Sequence, residues 1–148
     1  MRTVCIVAVV SFVVTLASCA SVPLANSEWD AAAKRFLPSQ ERAVLYVARP
    51  KIYPGAALTL NPIVDKQLVG SLNIGHYVVT ELVPGRHKIA LGGTGFGVSE
   101  PVEFEARAGQ LYFFRVYPKM GMPGLGIKQL TEKEGKKLVR KSKLVTGF

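Results

Sequence analysis

The chain has 148 residues, enough for one domain with a modest core, and 49% of them are hydrophobic, which excludes a disordered chain. Its formal net charge of +9 favours anionic partners such as phospholipid headgroups, lipopolysaccharide phosphates, acidic polymers or nucleic acid, without choosing among them. Arg2 is the only charged side chain before Cys19, so a chain lacking residues 1–18 keeps 18 basic against 10 acidic side chains.

The first element is a leader. Met1-Arg2 supplies a positive charge, and Val4 to Leu16 is an apolar run too short for a comfortable membrane span of about 20 residues. Leu16-Ala17-Ser18-Cys19 resembles the bacterial lipobox. The resemblance implies that Leu16, Ala17 and Ser18 are read by the signal peptidase and that the chain is cut before Cys19. The thiol then takes a covalent diacylglycerol, and the new amino terminus an N-acyl chain; two or more chains anchor a protein stably. The competing readings are an ordinary secretory leader cut near Ala17 or Ala20, and a retained helical anchor. Cys5 leaves with the leader and Cys19 is consumed by lipid, so the mature domain is expected to stand on its core without disulfides. Lipobox proteins with an Asp just after the cysteine are often retained at the inner membrane. Ala20 and Ser21 stand there instead, which points to an outer-membrane anchor facing the periplasm.

Residues 19–27 show no period and read as a tether to a single domain over 28–148. Ser27-Glu28-Trp29-Asp30 predicts a helix over 28–37, ended by Pro38. β-type runs follow at 43–49, 56–64, 68–74, 76–82, 86–91, 101–106 and 110–117. Turn chemistry separates them, including Asp65-Lys66-Gln67 and a type II turn at Val83-Pro84-Gly85-Arg86. Residues 118–126 carry two prolines and three glycines and are expected to be irregular. Thr131 to Glu134 is a capping box that predicts a basic C-terminal helix. The expected fold is mostly β: a small antiparallel β-sandwich or partly open barrel of about 7 strands, with a short N-terminal helix and a basic C-terminal helix.

Ala43 to Arg49, the Asp65–Gly70 turn with Ser71-Leu72, Gly75-His76-Tyr77 and Leu82-Val-Pro-Gly-Arg-His87 together resemble a bacterial lipoprotein family, the domain of unknown function numbered 2846. The resemblance covers about residues 40–117. It implies a small β-rich envelope domain, no reaction and no catalytic residues.

The chemical motifs are weak. Gly92 to Gly97 lacks the following helix N-terminus that a dinucleotide loop needs, and is expected to be a hairpin loop. His76 and His87 are too few for a metal site and are expected to be sheet residues. Ser71, Thr80 and Ser99 lack a base and an orienter. Glu103 and Glu105 share a strand face and are expected to balance nearby cations. No metal and no nucleic-acid partner is expected, since the leader exports the chain and stacking aromatics of RNA-binding type are missing. Lys133, Lys136, Lys137, Arg140 and Lys141 on the last helix form the candidate anionic-surface contact, each cation near a charged membrane contributing about 1 kcal/mol. Met120, Met122 and Leu125 form a candidate partner loop. The expected function is a non-enzymatic, lipid-anchored binding or scaffolding domain whose partners are the membrane and an anionic lipid, envelope polymer or envelope protein. The alternatives are a hydrolase of envelope polymer or lipid using Glu81, Glu100, Glu103 or Glu105, and a structural subunit of an envelope complex.

Overall fold

A computed structural model describes residues 22–52, 55–93 and 95–146. Leu16, Ala17, Ser18 and Cys19 lie outside the described residues.

The elements in chain order are α1 (Ser27–Ala33), β1 (Ala43–Ala48), β2 (Leu60–Val64), β3 (Gln67–Leu68), β4 (His76–Leu82), β5 (Gly85–Gly93), β6 (Gly97–Val98), β7 (Val102–Ala106), β8 (Leu111–Pro118), β9 (Leu125–Leu130), α2 (Glu132–Arg140) and β10 (Lys143–Leu144). Three of the ten described strands have only two residues. The other seven correspond in number to the sandwich expected from the sequence. Sheet I runs β10-β4-β1-β8-β9, and sheet II runs β3-β2-β5-β6 with β7 also paired to β5.

The core has two compartments. Between the sheets lie Leu45 and Val47 of β1, Leu60, Val78, Ile89, Leu91, Phe104, Phe114 and Val116. On the opposite face of sheet I, Val44, Tyr46, Tyr77 and Phe113 pack under the helices with Phe36, Val139 and Leu144. Strand β1 is therefore buried on both faces along its whole length. Its unbroken apolar run suits a doubly covered central strand better than one with a solvated face. It pairs antiparallel with β4 and parallel with β8, so sheet I is mixed.

The structure corrects the expected second and third strands and the expected loop. Residues 125–130 form a strand, β9, paired antiparallel with β8 from Phe113↔Leu130 to Pro118↔Leu125. Leu125 is 5% exposed, in the inter-sheet core, so it does not belong with the methionines as an exposed group. The third run shrinks to Gln67–Leu68 plus an isolated Leu60↔Leu72 bridge, and the second begins only at Leu60. Arg49, 2% exposed, reaches into that region. Its guanidinium donates to the carbonyls of Gly55 (2.6 Å), Leu58 (2.5 Å) and Leu72 (3.0 Å).

Helix α1 is capped by Asn26, whose Oδ1 accepts from Trp29 N at 2.8 Å, one residue before the expected serine. It ends before Pro38 because Phe36 adopts a left-handed φ of 53°, which turns its ring onto Tyr46 and Phe113. Asp30 ties α1 to sheet I by accepting from Lys34 Nζ (2.7 Å), Tyr77 OH (2.9 Å) and Leu144 N (3.0 Å). Burial pushes its carboxyl up, but these three partners outweigh burial and hold it below the usual range. Leu24 bridges Val145 and Val22 packs against the inter-sheet core, so both residues of the expected 19–27 tether contact the domain.

Candidate functional site

Helix α2 forms where the sequence predicts it. Thr131 Oγ1 accepts from Glu134 N at 3.3 Å, and Glu134 Oε2 accepts from Thr131 N at 3.1 Å and from Thr131 Oγ1 at 2.8 Å. These hydrogen bonds, the hydroxyl first, keep the Glu134 carboxyl below its usual range. The helix lies directly on β8. A methyl group at Gly135 would overlap the Phe113 side chain, so this approach requires glycine.

The structure divides the five predicted cations. Lys136 pairs with Glu132 one turn earlier and sits 5.5 Å from the Phe36 ring centre, while Arg140 sits 5.3 Å from the same ring. These two lie along α2 toward the segment after α1 and cover an apolar ring while keeping their heads wet. Lys133 is exposed on the first turn. Lys137 and Lys141, four residues apart and hence on one helix face, line a groove of about 300 Å³ together with Arg115, Lys128, Leu130, Leu138, Pro50 and Glu134.

Arg115 and Lys128 are the residues that sequence reasoning missed as members of this site. They are directly opposed partners on β8 and β9. The face they share follows from the two-residue period of strands: Phe113 lies under the helices while Phe114 and Val116 face the other sheet, which sends Arg115 out on the helix side. The only sequence signal was a charged residue inside an otherwise apolar strand. Arg115 is further held 5.3 Å over the Tyr117 ring, and its Nε is buried without an acceptor among the described residues. Among the described residues, no ion pair joins Arg115, Lys128, Lys137 or Lys141 to a carboxylate.

The candidate partner loop is the tip of the β8–β9 hairpin. Met120 and Met122 are 72% and 67% exposed, and Lys119 N donates to Gly124 O at 2.9 Å to close the tip.

The remaining chemical candidates are dispersed. Glu103 pairs with Lys88 at 2.7 Å and Glu105 is the cross-strand partner of Arg86, all on the outer face of sheet II. Lys88 holds the Glu103 carboxyl below its usual range. Glu81 is on β4 in the other sheet, exposed beside Arg42. Ser99 Oγ accepts from Leu91 N at 3.0 Å and donates to Glu100 O at 3.1 Å, filling the irregularity between β6 and β7. Ser71 donates to Asn61 at 2.8 Å, and Thr80 stands half-buried on β4. His76 is half-buried, and burial, followed by Lys143 and Arg49, pushes its ring toward the neutral form. His87 is buried against Asp65. Gly92 to Gly97 is the β5–β6 hairpin, followed by strand and not helix.

The sequence profile of a family described as "Protein of unknown function (DUF2846)" matches residues 39–127. That span holds β1 through part of β9 and stops short of α2. An uncharacterized protein of Haemophilus influenzae is 29% identical over 136 residues, covering 90% of this chain and 79% of the relative. No solved structure matches the chain.

Proposed function

The chain belongs to the DUF2846 family of proteins of unknown function, and from that premise we propose that it is a lipid-anchored envelope lipoprotein whose domain binds anionic envelope components without catalysis. The observation that carries this reading is the unbalanced positive charge gathered where α2, β8 and β9 meet. The leader gives that charge a place to act. Cys19 is three residues before Val22, and extended chain spans at most about 3.5 Å per residue, so a lipid on Cys19 holds the domain against the headgroup layer. The C-terminal end of α2 also lies close to this start: Lys143 and Leu144 follow it after two residues, Leu144 O accepts from Ala25 N at 3.0 Å, and Val145 bridges Leu24. An outer-membrane anchor facing the periplasm follows from Ala20 and Ser21 after the cysteine.

The hydrolase alternative needs carboxylates that converge, and Glu81 and Glu103 belong to different sheets. The structural-subunit alternative draws on one observation, the exposed Met120 and Met122 pair, since Met suits adaptable contacts.

The test is cosedimentation of residues 20–148 with phosphatidylcholine vesicles, with and without phosphatidylglycerol. Binding should require the anionic lipid and weaken as salt rises. Replacing Lys136, Lys137, Arg140 and Lys141 by Gln should abolish it. Salt-insensitive binding, or none, contradicts the electrostatic reading.

A further inference from the structure

We infer that the groove between α2 and the β8–β9 ladder is a binding site for a phosphomonoester carried on an apolar group. The inference rests on the basic-face reading above and narrows it from a diffuse surface to a defined ligand class.

Four cations line the groove, and two arrangements among them are unfavourable in isolation. Arg115 and Lys128 are directly opposed across the ladder, where like charges destabilise a sheet. Lys137 on the last turn of α2 and Lys141, its C-cap, are spaced i,i+4, where like charges repel. The two pairs come from separate elements and converge on one concavity. Among the described residues Glu134 is the one carboxylate lining it; it is held by Thr131 in the helix cap and balances only part of this charge, through Lys128. A ligand with more than one negative charge removes both repulsions at once.

The donor set narrows the chemistry. A guanidinium forms a planar fork that matches phosphate oxygens in a bidentate way, and lysines add movable point charges around it. Arg115 Nε is buried and meets no acceptor among the described residues. A phosphomonoester carries about −1.5 to −2 at neutral pH, which answers the groove's charge better than the single charge of a diester. The remaining lining is apolar: Leu130, Leu138 and Pro50. It suits the carbon skeleton to which the phosphate is attached. A membrane phosphate such as a phosphatidate-type headgroup and a soluble phosphate ester share this chemistry.

The experiment uses the full lipidated chain in neutral detergent micelles, titrated calorimetrically with dihexanoyl phosphatidic acid, with inorganic phosphate and with dihexanoyl phosphatidylcholine. Saturable binding of the phosphatidic acid but not of the phosphatidylcholine is expected. Arg115→Gln and Lys137→Gln should each weaken it roughly tenfold or more, as expected for loss of a charged hydrogen bond, and Lys133→Gln by less than about twofold, as for an exposed charge. Lys128→Gln and Lys137→Gln should change the unliganded thermal midpoint little, because both side chains are exposed; a loss of affinity without a loss of stability separates a binding role from a structural one. Equal affinity for inorganic phosphate, which has no carbon skeleton, overturns the assignment of the apolar lining to the ligand. Absence of saturable binding, or wild-type affinity in the Arg115→Gln, Lys128→Gln, Lys137→Gln, Lys141→Gln variant, overturns the inference. If vesicle binding then responds alike to Lys133→Gln and Lys137→Gln, the basic-face reading stands and only the groove falls.

Discussion

His87 and Asp65 lock the β2–β3 hairpin onto β5. His87 Nδ1 meets Asp65 Oδ2 at 2.5 Å, and His87 Nε2 meets the Val83 carbonyl at 2.7 Å. Asp65 Oδ1 also accepts from Lys88 N at 3.0 Å. Asp65 and Lys66 both take positive φ, 48° and 70°, the geometry of a two-residue type I′ hairpin turn. A neutral imidazole has one N–H, and both acceptors here are oxygens, so both contacts are satisfied only when the ring is protonated. Burial alone would push the His87 ring down. The Asp65 carboxylate, the Val83 carbonyl and the Asp65 and Glu105 charges outweigh it and raise the ring above 6.5, and the same contact holds Asp65 below 3.8.

A pH dependence follows. Because the folded His87 binds its proton more tightly than the unfolded one, its contribution is complete below pH 6.5 and is lost as pH rises through the folded value. The urea midpoint should therefore fall above pH 6.5, by a modest amount, since Asp65 is 46% exposed and solvent screens the pair. His87→Gln should flatten this slope. An NMR titration of His87 at or below 6.5 would contradict the assignment.

Gly135→Ala should destabilise the protein although alanine is the better helix former. The substitution gains about 1 kcal/mol in propensity. It also forces a methyl into Phe113, whose ring cannot retreat because it stacks on Tyr46 at 5.0 Å and meets Phe36 at 6.0 Å. Overpacking of this kind costs about 1–3 kcal/mol and more where the neighbours are fixed. A thermal midpoint at or above wild type would show that α2 can lift off the sheet without loss.

Arg49→Met should loosen the connection between β1 and β2. Gly55 O and Leu72 O retain backbone donors, from Leu58 N and Leu60 N, but Leu58 O is held by the guanidinium. Leaving that carbonyl without a buried donor costs about 1–3 kcal/mol. The expected signature is a lower urea midpoint together with faster amide exchange at Leu58 and Leu60. Unchanged exchange would mean the loop holds itself.

Much of this arrangement was legible in the sequence, for identifiable reasons. The β1 run is apolar throughout, the β4 run is centred on Tyr77-Val78-Val79 between Gly75 and Pro84, and the Thr131–Glu134 capping box fixes the start of α2 by local hydrogen bonds. Strand β9 was hidden because its first residues, Leu125-Gly126, sit among prolines and glycines. Gly126 is required there because the Tyr117 ring lies where a side chain would be. The parallel pairing of β1 with β8 leaves no local trace, since strand order depends on the route of the chain through sheet II. The groove was half visible. Lys137 and Lys141 announce themselves by helical spacing, whereas Arg115 and Lys128 join them only through the β8–β9 register. Arg49 reads as one more outward strand residue until the carbonyls it gathers, from Gly55 to Leu72, are brought together by the fold.

Metabolic labelling with an alkyne fatty acid tests most directly the proposal that this domain works from a lipid anchor at Cys19. In its own cell the wild-type chain should take up the label and run at the size of the form beginning at Cys19, whereas Cys19→Ser should carry no label and persist as the uncleaved precursor. An unlabelled wild-type chain, or a Cys19→Ser chain that is processed normally, would contradict the account.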